Sequence, residues 1–265
     1  MSKPVCESLL MKVGWHFLKH SMCNYEVLYH SCNYLHKSWY DWRKASYSYS
    51  LEGLDSFIFY SVFFQIQNDP EFKNKLKAQA LIYPALQVID LSLPSHQEFE
   101  HGPLLSKKLA IRLACLYLTQ DKALPQAMMK NQHMPHGSMH LFKLVNWSTL
   151  LPEKYKKNHV YTEPILGRLN PSYSILLDSR LSPLAVNDSQ LQNLPLTYIL
   201  TCQHDILRDD GLMYVSRLRN AGVKVSHDHM EDGLHGALSF MASPINLQLG
   251  IRIKDKYINW LEENL

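Results

Sequence analysis

The clearest hydrophobic pattern of the chain lies in its last quarter, where an apolar, β-branched run at 196–201 is typical of a buried parallel strand. Asp205 follows this run, and after it the spacing of apolar residues changes to that of a helix. Three of these residues fall on one helical face: Leu212, Val215 and Leu218. Gly222 is a stop signal, so the pattern predicts a strand, an aspartate and a helix in that order.

A second short apolar stretch at 223–229 predicts another strand, and the loop after it carries His235 between Gly233 and Gly236. Glycines this close to the histidine allow the loop to turn sharply. Strand, aspartate, helix, strand and histidine is the order in which α/β-hydrolases present the last two members of their catalytic triad. Asp205 and His235 are therefore the candidate orienting carboxylate and general base.

Periodicity predicts further elements on either side of this region. Residues 78–83 form a short apolar run that Pro84 stops, which indicates a third buried strand. Apolar residues over 104–118 recur as in an amphipathic helix. A long terminal helix is expected to begin at Ser243 and Pro244, an N-cap followed by proline at the first helical position. Its predicted apolar face consists of Leu247, Ile251, Ile258, Leu261 and Leu265.

The stretch 194–240, with its His-Asp-Ile-Leu-Arg-Asp-Asp-Gly and Gly-Leu-His-Gly motifs, resembles the C-terminal part of the arylacetamide deacetylase family. Members of this family are hormone-sensitive-lipase-like serine esterases of the α/β-hydrolase fold. The resemblance implies that the family's triad aspartate falls on Asp205 and its triad histidine on His235. It also covers 68–87 and, more loosely, the middle of the chain, but not roughly the first 60 residues.

The fold class that follows is α/β: the C-terminal part of an α/β-hydrolase sheet with a partial helical cap. We expect a divergent N-terminal segment over 1–66, whose order is open, and a partial α/β-hydrolase domain over 67–265 with a cap-like insertion at 91–175. The first 60 residues hold three of the five cysteines and seven of the fifteen tyrosines, without a sustained period. We interpret much of this segment as sequence foreign to the family, such as an alternative exon or an out-of-frame reading.

The nucleophile elbow is the part of the triad machinery that the sequence lacks. No serine has glycine at both −2 and +2, and no two glycines are adjacent, so neither Gly-x-Ser-x-Gly nor the family's His-Gly-Gly-Gly oxyanion loop is present. The resemblance places the elbow shortly before Asn68, where Asp55 and Ser56 match the family's Asp-Ser pair. The elbow needs small neighbours, yet Leu54 and Ile58 flank this position. Ser56 is therefore either an off-pattern nucleophile or an ordinary serine.

The resemblance implies carboxylic ester or arylacetamide hydrolysis through an acyl-enzyme, with small acyl esters or arylacetamides as ligands and no cofactor. The missing elbow and oxyanion loop lead us to expect an inactive or strongly impaired chain. The alternative is a non-catalytic pseudoenzyme or an unstable product, because a sheet without its leading strands would expose an unpaired edge.

Charge and composition bear on whether the chain binds nucleic acid or spans a membrane. A net charge of +3 without an Arg-rich or Lys-rich stripe gives no reason to expect nucleic acid. No apolar run reaches the length of about 18 residues that a membrane span needs, so no transmembrane segment is expected in this chain. Members of the resembled family begin with a membrane anchor, so the resemblance implies that this chain is located in the endoplasmic reticulum membrane or lumen.

The five cysteines have no Cys-x-x-Cys spacing and therefore predict no disulfide framework. Cys202 is expected to be a buried free thiol.

Two weaker patterns in the sequence are a group of three histidines and two N-glycosylation sequons. His133, His136 and His140 have spacings that could bind a metal, but a proline and a glycine between them break a common helical face. We therefore expect no metal site there. Asn146 and Asn187 each begin an N-glycosylation sequon, which matters only if the chain reaches the secretory lumen.

Overall fold

The computed structural model of the chain describes residues 77–118, 121–167, 176–179, 181–241 and 244–264. All of them lie in a compact unit that spans Ser46–Leu265. The predicted N-terminal segment at 1–66 and the candidate nucleophile Ser56 fall outside the described residues. The limits of that segment and of the cap-like insertion therefore stay predictions.

Among the described residues, three parallel strands form one sheet. Strand β1 is Ala78–Ile82, β2 is Leu196–His204 and β3 is Val225–Leu234, with β2 between the other two. The register places Ala80 opposite Tyr198. Each strand lies where the hydrophobic pattern predicts one, so the α/β class is confirmed.

The boundaries of β2 and β3 differ from the predicted ones. β2 continues to His204 instead of ending at Thr201, and β3 begins at Val225 and passes His229 to end at Leu234. Half of the additional residues are polar, namely Gln203, His204, Glu231 and Asp232, and hydrophobic periodicity does not detect strand residues of that kind. Because of this extension the strands end directly at the two candidate triad residues.

In chain order, the helices are α1 (Pro94–Glu98), α2 (Lys107–Leu118), α3 (Ala123–Met129), α4 (Met139–Phe142), α5 (Trp147–Leu150), α6 (Asp188–Leu191), α7 (Arg208–Asn220) and α8 (Gln248–Asn264). Short 3₁₀ turns occur at Lys143–Val145, Glu153–Tyr155, Pro183–Ala185 and Ala237–Phe240. No helix within the described ranges is both long and apolar enough to cross a bilayer.

Helix α7 joins β2 to β3 and has charges at both ends that match its dipole. Asp209 and Asp210 lie in its first turn, and Arg217 and Arg219 lie in its last turn. Gly222 follows with a φ of 82°, a left-handed conformation that glycine adopts without strain. The helix and its stop signal are both confirmed.

Helix α7 also packs very closely on β2. A Cβ atom added at Gly211 would lie 2.5 Å from Cγ2 of Thr201, well inside van der Waals contact. Only glycine fits at this position without moving the helix away from the sheet.

Helix α8 covers the opposite face of the sheet, and its predicted start and buried face need correction. The helix begins at Gln248, whereas Pro244 lies in a turn before it. Its buried face consists of Leu249, Gly250, Ile253, Tyr257 and Trp260. The predicted residues Leu247, Ile251, Ile258 and Leu261 are only partly buried, and Leu265 falls outside the described residues. The prediction selected a neighbouring stripe of the helix and so missed the aliphatic Leu249 and Ile253 as well as the two aromatic residues.

The apolar face of the sheet is the layer between the strands and α8. It contains Ala78, Ala80, Ile82, Tyr198, Leu200, Cys202 and Met230. The Trp260 ring stacks on Tyr198 with ring centroids 5.1 Å apart. Cys202 is a fully buried free thiol, as predicted.

Helices α1 to α5 occupy the described part of the predicted cap-like insertion, where no strand is found among the residues that the structure describes. The predicted amphipathic helix begins at Lys107 instead of Leu104, and Ser106 Oγ accepts a hydrogen bond from the Leu109 N–H near its start. A core lies beneath these helices, formed among others by Leu86, Ile89, Leu93, Phe142, Val145, Trp147 and Leu184.

Candidate active site

The carboxyl ends of β2 and β3 bring the two predicted triad residues into contact. His235 Nδ1 lies 3.0 Å from Asp205 Oδ2, and both residues directly follow their strands. Asp205 is 1% exposed and His235 is 9% exposed. An ionised carboxylate only accepts hydrogen bonds, so Nδ1 carries the proton and Nε2 keeps its lone pair. This is the tautomer that a general base requires.

Tight turns fix both members of this dyad. Asp205 Oδ1 accepts a hydrogen bond from the Leu207 N–H at 2.8 Å, and the Asp205 carbonyl accepts one from the Arg208 N–H at 3.1 Å. On the other strand, Gly236 has a φ of 73°, which turns the chain immediately after His235. A side chain at this left-handed position would strain the loop, so the glycine supports the placement of the imidazole.

Ser95 of α1 braces the turn that carries Asp205. Its N–H donates to Asp209 Oδ2 at 2.7 Å, and its hydroxyl donates to the Ile206 carbonyl at 2.7 Å. Burial raises the pKa of Asp209, and the neighbouring Arg208, whose Nε donates to Asp209 Oδ1 at 2.8 Å, opposes this rise. The turn is thus held by a buried serine of α1 and by a buried ion pair within the first turn of α7.

Asp210 joins the same helix terminus to the segment that follows β1. Its carboxylate accepts hydrogen bonds from the Leu86 N–H at 2.9 Å and from Gln87 Nε2 at 3.0 Å. Complete burial raises the pKa of Asp210 to about 7, although these hydrogen bonds favour the charged form. Asp210 therefore links the segment after β1 to the segment after β2, two parts of the chain that are far apart in sequence.

Arg208 fills the space between α1 and the Glu153–Tyr155 turn. Its Nη1 donates to Glu98 Oε2 at 2.7 Å, and its guanidinium lies 5.5 Å from the Phe99 ring centroid and 4.7 Å from that of Tyr155. The side chain is 1% exposed. Ion pairing and stacking on two aromatic faces compensate for burying this charge.

Arg208, Asp209 and Asp210 had no predicted role. The available signal was their position, since three consecutive charged residues closely follow the candidate triad aspartate and open a helix with an apolar face. Their partners were not predictable, because they lie in other parts of the chain.

Tyr83 contributes an aromatic contact to the dyad. It follows β1, is fully buried, and its ring centroid lies 4.8 Å from that of His235, with the planes tilted by 56°. The imidazole therefore meets a carboxylate at Nδ1 and an aromatic ring beside it. This neighbour was not predicted from the sequence.

The three histidines considered as metal ligands do not form a common site. His133 is buried, its Nε2 donates to the Val88 carbonyl at 2.6 Å, and burial lowers its pKa to about 4. His136 and His140 are exposed, and His140 Nδ1 lies 2.9 Å from the Gly137 carbonyl. In the part of the chain that the structure describes, no three His, Cys, Asp or Glu side chains are grouped to hold a metal.

Comparison with known proteins agrees with the α/β fold. A family model described as an alpha/beta hydrolase fold matches residues 144–239. The chain is 66% identical over 201 residues to arylacetamide deacetylase-like 2 of Homo sapiens, and the match covers 76% of this chain and 50% of that protein. It is 53% identical over 203 residues to arylacetamide deacetylase of Oryctolagus cuniculus, with the same two coverages.

A more distant relative is neutral cholesterol ester hydrolase 1 of Bos taurus, 42% identical over 206 residues, again covering 76% of this chain and 50% of the relative. The chain thus spans about half the length of the curated relatives that it matches.

Solved structures confirm the fold. Vibralactone cyclase superposes with a TM-score of 0.53 at 19% sequence identity, covering 82% of this chain and 50% of that one. A bacterial heroin esterase gives a TM-score of 0.53 at 20% identity, covering 82% and 51%. At these identities the likeness concerns the fold alone.

Proposed function

We propose, from the α/β-hydrolase fold and the sequence similarity to the arylacetamide deacetylases, that Asp205 and His235 form the acid–base part of a carboxylic ester or arylacetamide hydrolase site. The observation that carries the proposal is the 3.0 Å contact between His235 Nδ1 and Asp205 Oδ2 at adjacent strand ends. Two buried side chains held in the tautomer of a general base are expected where a hydroxyl nucleophile is activated.

In this mechanism His235 Nε2 takes the proton of the nucleophile hydroxyl as its oxygen attacks the carbonyl carbon of the substrate. Asp205 keeps the imidazole oriented and stabilises the imidazolium that forms. The imidazolium then gives the proton to the leaving alcohol or amine, which leaves an acyl-enzyme. A water molecule, deprotonated by the same nitrogen, then attacks the acyl group. The bond between the acyl carbon and the nucleophile oxygen breaks, the imidazolium returns its proton to that oxygen, and the carboxylic acid is released. Ser56 is the candidate nucleophile for this chain.

We further propose that the activity of this chain is absent or strongly impaired. Support comes from the sequence, which has neither Gly-x-Ser-x-Gly nor adjacent glycines for an oxyanion loop. Loss of a triad member leaves a residual acceleration of roughly 10³- to 10⁴-fold over water only if the oxyanion hole and substrate binding persist. Without that hole, we expect turnover close to the uncatalysed rate.

The test combines p-nitrophenyl acetate and butyrate hydrolysis with fluorophosphonate labelling of purified, folded protein. Ser56→Ala and His235→Ala are the informative variants, and Ser189→Ala, at an exposed serine, is the matched control. No labelling and no turnover would support impairment. Turnover and labelling that both variants lose, but Ser189→Ala keeps, would show a working Ser56 nucleophile and overturn it.

A second candidate is a pseudoenzyme that binds acyl ligands without turning them over. The observation that favours it is a well-formed dyad in a chain whose nucleophile motif departs from the family pattern. Raised thermal stability in the presence of a phenylacetamide, lost in His235→Ala, would support binding. Unchanged unfolding at saturating ligand would count against it.

Location in the endoplasmic reticulum and glycosylation are further proposals, and they rest on the family resemblance. Both asparagines cap a helix: Asn187 forms a capping box at the start of α6, and the Asn146 side-chain oxygen accepts from the Ser148 N–H at 3.0 Å at the start of α5. They differ in exposure, since Asn187 is exposed and Asn146 is partly buried. We therefore expect Asn187 to accept a glycan more readily. A mobility shift on glycosidase treatment of secreted-pathway protein, compared between N187Q and N146Q, tests this.

A further inference from the structure

Tyr83 has a backbone conformation that is unusual for its side chain. Within the described residues, four non-glycine residues have positive φ, and three of them are asparagines, which tolerate this conformation. The fourth is Tyr83, with a φ of 39°. A bulky aromatic residue in this region is strained, and such strain persists only where the surrounding structure holds it in place.

Two contacts hold the backbone of Tyr83. Its N–H donates to the Leu200 carbonyl at 2.7 Å, which extends the pairing of β1 and β2 by one residue beyond Ile82. Its side chain is fully buried in the apolar face, together with Ile82 and Leu200. The next residue is Pro84, which favours an extended conformation with negative φ in the residue before it, so the proline does not account for the positive φ of Tyr83.

The positive φ determines where the Tyr83 side chain lies. With its N–H fixed in the strand pairing, a change of φ rotates Cβ about the N–Cα bond. A residue with an ordinary negative φ would therefore direct its side chain to a different side of the backbone. The observed conformation brings the Tyr83 ring to 4.8 Å from the His235 ring, centroid to centroid.

We propose that Tyr83 is a positioning residue for His235, and that its strained backbone serves to set an aromatic ring against the imidazole. The inference rests on the proposed role of His235 as general base. The Asp205 hydrogen bond fixes one atom of the imidazole, Nδ1, and leaves the ring free to rotate about that contact. A ring packed beside the imidazole removes this freedom, and it also attracts the positive charge that His235 acquires during proton transfer.

The test observes the Nδ1 proton of His235 directly by nuclear magnetic resonance, so that it does not depend on turnover. A proton shared between imidazole and carboxylate resonates far downfield, and its exchange with water reports how firmly the ring is held. In Tyr83→Leu we expect this exchange to accelerate by roughly three- to tenfold, the size of a lost aromatic contact. Tyr83→Phe keeps the ring and is expected to keep the wild-type rate.

Tyr257→Leu is the matched control, since it removes a buried tyrosine from α8 that packs against Tyr198 and has no ring contact with His235 among those described. Its exchange rate should equal that of the wild type. If Tyr83→Leu does not fold, Tyr83→Gly replaces it, because glycine tolerates the positive φ while lacking the ring.

The outcomes separate this inference from the proposed function. A downfield signal in the wild type that disappears in Asp205→Asn, with faster exchange in Tyr83→Leu alone, supports the positioning role. An unchanged rate in Tyr83→Leu, or an accelerated rate in Tyr83→Phe, overturns it and leaves the dyad intact. Absence of the signal from folded wild-type protein overturns the dyad itself.

Discussion

The two faces of the three-stranded sheet are both covered, but by different kinds of contact. The apolar face meets α8 through aliphatic and aromatic side chains. The other face, next to α7, places Ile199 in an apolar cluster with Leu212 and Val215 of that helix. Beside Ile199 it also carries a polar network, in which Thr201 Oγ1 lies 2.9 Å from His227 Nε2 and 2.8 Å from His229 Nδ1. We call these three residues, with Tyr155 and Gln203 beside them, the polar face.

The difference teaches how polar residues are accommodated beneath a helix. Burial lowers the pKa of His227 to about 4 and also lowers that of His229, so both imidazoles are neutral at pH 7. A neutral imidazole has one donor and one acceptor, and a threonine hydroxyl can donate to one ring and accept from the other. The apolar face depends on buried area, whereas the polar face depends on complete pairing.

The largest effect is expected on the apolar face. Ile253→Ala removes a fully buried side chain from α8 and leaves a cavity against the sheet, so the free energy of unfolding should fall by about 3 kcal/mol. Urea denaturation followed by circular dichroism measures this. Glu263→Ala, at an exposed position of the same helix, should change stability by less than about 0.5 kcal/mol. Equal losses in the two variants would refute the assignment of the buried face.

On the polar face, Thr201→Val keeps the shape of the side chain and removes the hydroxyl that joins the two histidines. Two partly buried imidazole nitrogens, His227 Nε2 and His229 Nδ1, then lose the hydroxyl between them, and the free energy of unfolding should fall by about 2 kcal/mol. Thr149→Val serves as the control in the same urea titration. The Thr149 hydroxyl is exposed and donates to the Asn146 carbonyl, and water can take its place in the variant. An unchanged free energy of unfolding in Thr201→Val would mean that the hydrogen bonds between Thr201 and the two histidines do not stabilise this face.

His227 also predicts a dependence on pH. Because its folded pKa of about 4 lies below the ordinary value of 6.5, the unfolded chain binds more protons between these limits. The contribution of His227 is therefore fully present above about pH 6.5 and is lost as the pH falls towards 4. His227→Gln should reduce the loss of stability between pH 7.5 and pH 5 by under about 1 kcal/mol, since the side chain is partly exposed.

Urea titrations of wild type and His227→Gln at those two pH values provide the measurement. His136→Gln, at an exposed histidine, should leave the pH dependence as in the wild type. A steeper loss of stability in His227→Gln would contradict the expected sign.

The smallest effect is expected at the exposed rim of β3. Glu231 pairs with Lys154 at 3.5 Å, and both side chains are more than half exposed, so solvent screens their attraction. Glu231→Gln should change the unfolding free energy by less than about 0.5 kcal/mol at physiological salt. A loss of unfolding free energy as large as that of Thr201→Val would contradict this prediction, and it would mean that the Glu231–Lys154 pair stabilises the polar face as strongly as its buried hydrogen bonds do.

The parts of the molecule that were predictable from sequence are those in which the interacting residues lie close together along the chain. The β2, α7 and β3 elements and the Asp205–His235 pair all lie between residues 196 and 235, so local periodicity and one motif were sufficient. Asp209 and Asp210 were not interpretable in this way, because Ser95 and Leu86 are 114 and 124 residues away from them.

Two other features were missed for a different physical reason. The buried face of α8 includes Ile253, Tyr257 and Trp260, and the prediction selected the neighbouring stripe of apolar residues instead. The positive φ of Tyr83 has no sequence signal, since a tyrosine at the end of a strand is ordinarily extended. Packing, and not local preference, determines both.

The parallel pairing of β1 with β2 has a consequence for the order of folding. Gln79 and Thr197 of this pair are 118 residues apart, whereas β2 and β3 are joined through α7 alone. Closing the longer loop costs more chain entropy before any contact compensates for it. The β2–α7–β3 unit, and the dyad with it, is therefore expected to form before β1 docks, and Tyr83 would reach His235 last. In pulse-labelled hydrogen exchange, amides of β2 and β3 should gain protection earlier than those of β1; simultaneous protection would contradict this order.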